Sequence, residues 1–418
     1  MAPIANVDIS SPAFKANPYP FYAQLRDQAP VHRIILGDKR PAWLVTRYDD
    51  VVTVLKDDRF VKDKRKVMTP EQMAREPWIP KMIQPIERNM LDADAPEHTR
   101  LRGLVHMAFT PRLVENMRER IQRLTDELLN PIETRGHMDL IRDYALPVPT
   151  TIIAEMLGVP ERERHKFHRW SNSIVSIVPS KWGLLKAIPS LIAFLRYIRR
   201  LVRTRRAALR EDLVSALVEA HEAGDRLSED ELLAMVSLLL IAGHETTVNL
   251  IGNGMLALLD HPQQLERLRD DPGLIKPAVE ELLRYDGPLE TATERYARED
   301  ATIAGVTIPR GEMVFAVLAS ANRDERQFDH ADTLDITREP NRHLAFGQGV
   351  HFCLGAPLAR LEGQIAINTL LRRIPNLRLA VPRQALRRRP GLVLHGLKSL
   401  PVAFSARREP ILQAVSRP

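Results

Sequence analysis

Between Ser228 and the His261-Pro262 stop, roughly thirty residues run without a proline, and at ~1.5 Å rise each they make a helix of about 45 Å. Ser228 followed three residues later by Glu231 is a capping box that fixes its start. Its middle, LLLIAGHETTVNL, is apolar nearly all round, so the helix must be buried along its length. A chain built on such a rod has to wrap helices around it. Inside the buried stretch stand Gly243, His244, Glu245, Thr246 and Thr247. A glycine costs about 1 kcal/mol in a helix interior, and a buried carboxylate costs more. Function is one compensation; a packing glycine beside a satisfied polar cluster is the other.

With 418 residues, 44% hydrophobic and 27% charged, the chain can bury a large core and is neither disordered nor fibrous. Helical periodicity dominates from about residue 97 to 285. Short β-like pieces stand at Val31–Leu36, Ala42–Thr46 and Ala301–Ile308, with a last pair in Gly391–Phe404. The expected class is mostly α with small β-sheets (α+β). Because strands come from both ends, one closed domain over 1–418 is expected. No repeat and no low-complexity linker divides it. The N-terminus lacks a basic n-region and an apolar h-region, and Leu184 to Ile198 is broken by Lys186, Pro189 and Arg196. These features predict no signal peptide, no bilayer span and a cytoplasmic location.

The net charge of +7 is unevenly spread: seven arginines lie between Arg196 and Arg210, and Arg387, Arg388 and Arg389 stand together. Nucleic acid, anionic lipid or an acidic protein could answer such charge. The first cluster alternates with Leu195, Ile198, Leu201, Val202 and Leu209, the pattern of an amphipathic surface helix. No zinc-finger spacing or aromatic RNA-binding run accompanies it, so nucleic acid is not expected.

The only cysteine lies in FGQGVHFCLG, residues 346–355. One cysteine excludes a disulfide framework and multi-cysteine metal sites. Glycines on both sides allow close backbone approach to a ligand, and Pro357 with Leu358, Leu361 and Ile365 opens a helix just after it. A thiol at a helix N-terminus has its pKa lowered and can serve as nucleophile or metal ligand.

This segment resembles the haem-binding signature of the cytochrome P-450 family, F-G-x-G-x-H-x-C-x-G in its bacterial form. Six fixed positions occur by chance about once in 10⁵ chains of this length. AGHETT resembles the family's oxygen-activation motif, Glu281-Leu282-Leu283-Arg284 its E-x-x-R, and SANRDERQFDHADTLDITREPNRHLAFG its meander. The resemblance runs from NPYPFYAQLR to GLKSLPV. It implies the P-450 fold, with the long central helix over haem b and Cys353 as the proximal thiolate ligand of the iron.

By the same resemblance, His98, Arg102, Arg295, His343 and His351 are the candidates for the haem propionates, with Arg298 a neighbouring alternative to Arg295. Taken alone, His98 and Arg102 would be a solvated helix face. Phe346, Gly347 and Gly355 frame the cysteine, and Ala242 and Gly243 leave room on the distal side. Glu245 and Thr246 resemble the acid–alcohol pair that relays protons, with the Thr246 hydroxyl bonding back to the Ala242 carbonyl. Glu281, Arg284 and Arg338 are expected to support the haem loop.

The implied activity is monooxygenation, by hydroxylation or epoxidation, of a bulky apolar polyketide, terpene or fatty-acid-like metabolite. It would use O2 and two electrons from NAD(P)H through ferredoxin reductase and an acidic ferredoxin that meets Arg102 and Arg360. A monomer is expected. Peroxygenation or C–C coupling on the same fold is the nearer rival; a basic binding protein without haem is the remote one. Expected cavity walls are the loop before His98, Phe167–Ile198, Leu238, Leu239 and Ala242, Leu289–Thr293, and Leu392–Leu394. Glu290 could offer substrate a polar handle, or turn away towards solvent or an arginine.

Overall fold

The computed structural model describes residues 7–74, 89–164, 166, 170, 181–222 and 227–407. Its axis is the predicted helix, Glu229–Asp260. The Ser228 hydroxyl accepts from the Glu231 amide at 3.1 Å, and the Glu231 carboxylate accepts from the Ser228 amide at 2.7 Å, closing the capping box. In length and apolarity this helix could cross a membrane. It is instead surrounded by helices Pro147–Met156, Lys181–Ala207, Ile275–Tyr285 and Ala356–Arg373.

The β structure lies to one side of these helices. Strands β1 (Val31–Ile35), β2 (Pro41–Val45), β3 (Phe60–Val61), β5 (Arg295–Ala297) and β8 (Met313–Ala316) form one sheet in the order β1-β2-β8-β5-β3. Only the β2–β8 pairing is parallel. Strands β4 (His137–Asp139), β9 (Arg378–Leu379) and β10 (Pro401–Ala403) form a second sheet, and β6 (Ala301–Ile303) and β7 (Val306–Ile308) a hairpin.

Against the sequence expectations, Ala301–Ile308 divides into two strands, and the Gly391–Phe404 region yields only one. Five strands of two to four residues (β3, β4, β5, β8 and β9) were not anticipated. Such pieces show at most one or two alternations, too few to mark a period. The arginine-rich helix does bury Leu195, Ile198, Leu201 and Val202. Leu209, however, lies beyond its end and is exposed, while Arg205 is buried, pairing with Asp212 and donating to the Gly158 carbonyl.

On the helix Ile275–Tyr285, Glu281 and Arg284 form a fully buried ion pair. All five guanidinium donors of Arg284 are used: two on Glu281 at 2.7 and 2.8 Å, the rest on the Asn322, Ala331 and Thr333 carbonyls. Arg338 reaches the same carboxylate at 3.2 Å, and Asn341 and the Asp335 amide also donate to it. Asn322 then accepts the Leu344 amide at 2.7 Å, tying this cluster to the segment entering the cysteine loop.

Candidate active site

The cysteine loop is shaped by backbone bonds. The Cys353 amide donates to the Phe346 carbonyl at 2.9 Å, and the Gly347 amide to Leu344 at 2.8 Å. Gly347 and Gly349 have φ of +68° and +74°, the left-handed region that side chains disfavour. A Cβ on Gly349 would also lie 2.8 Å from the Leu55 carbonyl oxygen, so glycine is required twice over.

Cys353 opens onto a cavity of about 490 Å³. Gly355 caps the helix Ala356–Arg373 immediately beyond it. Burial pushes the thiol's pKa up, against the Gly355 and Ala356 amides and the Arg102 and Arg360 charges that favour the thiolate. The amides at the helix start do favour the thiolate, as expected from the helix N-terminus, but the net shift is upward. Desolvation outweighs these amides and charges.

Across the cavity run Leu238, Leu239, Ala242, Gly243, Glu245 and Thr246 of the central helix. The Thr246 hydroxyl donates to the Ala242 carbonyl at 3.0 Å, as expected. A Cβ on Gly243 would meet the Ile153 Cδ1 at 3.3 Å, so close packing on the neighbouring helix, besides room on the distal side, accounts for this glycine. Glu245 is buried and pairs with Arg389. Burial raises its pKa while Arg389 opposes the rise. Arg388, beside it, is buried between Asn253 and Asp286, so the arginine triplet is not a free basic surface.

At one edge of the cavity His98, Arg102, Arg295 and His351 converge. The imidazoles of His98 and His351 lie 4.2 Å apart. Burial first, and then the neighbouring cations, push His351 down to about 2; burial also lowers His98. Burial pulls even Arg295 down to about 10; its guanidinium donates to the Val54 and Leu55 carbonyls at 3.0 and 3.2 Å. The His98 Nε2 is buried without a partner among the described residues. No carboxylate forms a salt bridge with Arg102 or Arg295 among these residues. Such a group of donors calls for anions from outside the protein. Together with a cysteine sulfur at the floor of an apolar cavity, it fits a haem with its two propionates.

His343 departs from expectation. It does not line the cavity but contacts Glu280 at 3.1 Å. Glu280 also takes both arms of Arg360, at 2.7 and 2.8 Å. Burial opposes its ionisation, yet His343 and Arg360 together hold Glu280 at about 2. His343 is thus a buttress of the loop, and the Arg360 charge, expected to be free for a ferredoxin, is already matched.

Glu290 turns away from the cavity, into a buried cluster with Lys15, Tyr22 and His395 rather than towards solvent or an arginine. Leu289, Ala292, Thr293, Val393 and Leu394 do line the cavity, as do Met90 and Leu91 before His98. Thr291 and Leu392 instead bond to each other at 3.2 Å. Much of the expected wall Phe167–Ile198 lies outside the described residues, and its described part contributes no lining residue.

Glu362 escaped the sequence reading altogether. It is buried on the helix following the cysteine, near Thr247 of the central helix, and burial pushes its pKa up to about 8 against the opposing effect of Thr247. A lone glutamate in a helical pattern gives no sign of this.

A mostly helical fold with its only cysteine at the floor of an apolar cavity, beneath a long distal helix, defines a haem-thiolate protein. The Cytochrome P450 family model matches residues 11–272 and 273–387, and the chain belongs to that family. It is 44% identical over 395 residues to the polyketide biosynthesis cytochrome P450 PksS of Bacillus subtilis, covering 94% of this chain and 97% of the relative. It is also 44% identical to the cytochrome P450 monooxygenase PikC of Streptomyces venezuelae, covering 97% and 96%. Its fold is similar to a myxobacterial cytochrome P450, CYP267B1, solved in complex with myristic acid: TM-score 0.90, 43% identity, covering 96% and 99% of the two chains. The chain is an oxidoreductase of the P450 monooxygenase type.

Proposed function

We propose that this monooxygenase inserts one oxygen atom into a C–H or C=C bond of a bulky apolar metabolite of polyketide, terpene or fatty-acid kind. The observation that carries this reading is the Cys353 sulfur facing Gly243 and Thr246 across an apolar cavity. Bound haem supplies the oxygen-activating chemistry. Cys353 would hold its iron, and His98, Arg102, Arg295 and His351 would hold its carboxylates. The aliphatic wall excludes water and orients substrate by burial of apolar surface. Purified protein is expected to show a Soret band and, with the right substrate, a low-to-high-spin optical shift. A protein without the band would overturn the reading.

Glu245 and Thr246 are the proton-handling residues. The Thr246 hydroxyl, anchored on the Ala242 carbonyl, can hold a water at the distal face, and the buried Glu245 can pass a proton to it. Replacing Thr246 with Ala leaves apolar burial intact, so substrate affinity and NAD(P)H consumption are expected to persist. Product per NAD(P)H should fall severalfold, with hydrogen peroxide released in its place. Wild-type coupling in this variant would move the relay to Glu245 and ordered water.

Electrons are expected from NAD(P)H through ferredoxin reductase and an acidic ferredoxin. Arg102, which donates to the Phe352 carbonyl at 2.7 Å, remains the candidate contact, whereas Glu280 neutralises Arg360. Charge steering predicts that the electron-transfer rate falls as ionic strength rises to physiological values. A rate indifferent to salt would exclude an electrostatic dock.

A further inference from the structure

Glu245, Asn249 and Asn253 of the central helix are all buried, and their spacing of four residues puts them on one face. All three meet the same element, the loop 387–398. Arg389 pairs with Glu245. Arg388 donates to the Asn253 side-chain oxygen at 3.0 Å, and the Asn253 amide nitrogen donates to the His395 carbonyl at 2.7 Å. Between these two ends, Gly396 lies against Asn249, where a Cβ would sit 2.0 Å from the Asn249 side-chain oxygen. A polar stripe on a buried helix thus receives one loop along its whole length.

The loop is folded back on itself. The Lys398 amide donates to the Arg387 carbonyl at 2.8 Å, the Arg389 amide donates to the Gly396 carbonyl at 2.9 Å, and Arg388 and Leu397 form an antiparallel bridge. Arg388 is also held by Asp286 at 2.7 Å. Arg389 is therefore carried by a braced segment, with 29% of its side chain exposed against 3% for Glu245. It does not line the cavity. Around Glu245, His244 directs its Nδ1 to the Leu240 carbonyl, and Glu362 lies near Thr247. Helices Pro147–Met156, Lys181–Ala207 and Ile275–Tyr285 bring no charged group into a salt bridge with Glu245 among the described residues. The counter-charge is Arg389.

We infer that Arg389 is a positioning residue for proton delivery: the loop, docked on the Glu245–Asn249–Asn253 stripe, holds its guanidinium against Glu245, fixing that carboxylate in place and favouring its charged form. The inference rests on the reading of Glu245 as a proton-handling residue and adds what controls it. An arginine stays protonated throughout, so its part is to hold the carboxylate and not to pass the proton. Burial raises the Glu245 pKa and Arg389 opposes the rise. Without Arg389 the rise is unopposed, and the carboxyl takes up its proton at higher pH.

The test is an infrared pH titration of full-length haem-loaded protein, with the Glu245→Gln spectrum subtracted to isolate the Glu245 carboxyl band. In Arg389→Gln the midpoint is expected to rise by about one pH unit or more, the usual effect of removing a neighbouring opposite charge. Arg389→Lys should stay near wild type. Asn253→Ala, eight residues from Glu245, frees the far end of the loop without touching the ion pair and should raise the midpoint part of the way. Hydrogen peroxide released per NAD(P)H consumed should rise severalfold in Arg389→Gln and fall back in Arg389→Lys. An unmoved midpoint in Arg389→Gln overturns the inference. So does an equal rise in Arg389→Lys, since charge would then not be the cause. An unmoved midpoint in Asn253→Ala overturns the role given to the loop; if that variant does not fold, the two Arg389 variants decide alone. Failure of the underlying reading is distinct, since it would appear as wild-type coupling in Glu245→Gln whatever the titration shows.

Discussion

Cys353→Ser is expected to abolish the red-shifted band of the reduced carbon monoxide complex and all oxygen insertion, while the helical circular dichroism signal persists. The loop is held by its own backbone: the residue 353 amide on the Phe346 carbonyl, and glycines at 347 and 349 in the left-handed region. None of these depends on sulfur. A serine hydroxyl, with a far higher pKa than a thiol, would not supply the electron-rich thiolate that is to hold the iron. Since the chain has no second cysteine, nothing can substitute. The reduced carbon monoxide spectrum is the measurement, and an unchanged thiolate band would remove Cys353 from the iron.

The second large effect concerns stability. Glu281→Gln is expected to destabilise the protein by about 3–5 kcal/mol, the usual cost of breaking a buried ion pair. The carboxylate faces Arg284, fully buried, and Arg338 at 11% side-chain exposure. Neutralising it leaves both guanidinium groups short of an anion. The loss is a large share of the ~5–15 kcal/mol that holds a native protein together. Because the same cluster reaches Leu344 through Asn322, the loss should extend to the cysteine loop. Denaturant unfolding and the fraction of protein that retains haem are the readouts. A variant with wild-type midpoint and full loading would show that the cluster does not support the loop.

The long helix and the cysteine loop were legible in the sequence because each carries its own local grammar. Ser228 and Glu231 announce a helix start, and glycines bracketing a lone cysteine announce a ligand loop. Where long-range partners decide the outcome, the sequence is mute. Nothing near His343 reveals that Glu280, on the helix Ile275–Tyr285, captures its imidazole. Nothing near Glu245 or Glu290 reveals Arg389 or Lys15, more than a hundred residues away in each case. The net direction of the Cys353 shift is a related case: the helix terminus is visible in the sequence, the desolvation that outweighs it is not. Short strands such as β3 and β5 exist because neighbours pair with them, and their own residues carry no period.

The central sheet sets a timetable for the chain as it leaves the ribosome. β1 and β2 emerge early, but their partner β8 begins at Met313, about three-quarters of the way along the 418 residues. The cavity is later still, since it draws walls from His98, Thr246, Arg295, Cys353 and Leu394. Contacts of such separation form slowly, and they leave early segments exposed while they wait. Synthesis therefore has to pass Leu394 before the whole porphyrin pocket can form. A nascent chain stalled before Leu394 lacks part of the pocket wall, and one stalled before Cys353 has no iron ligand at all.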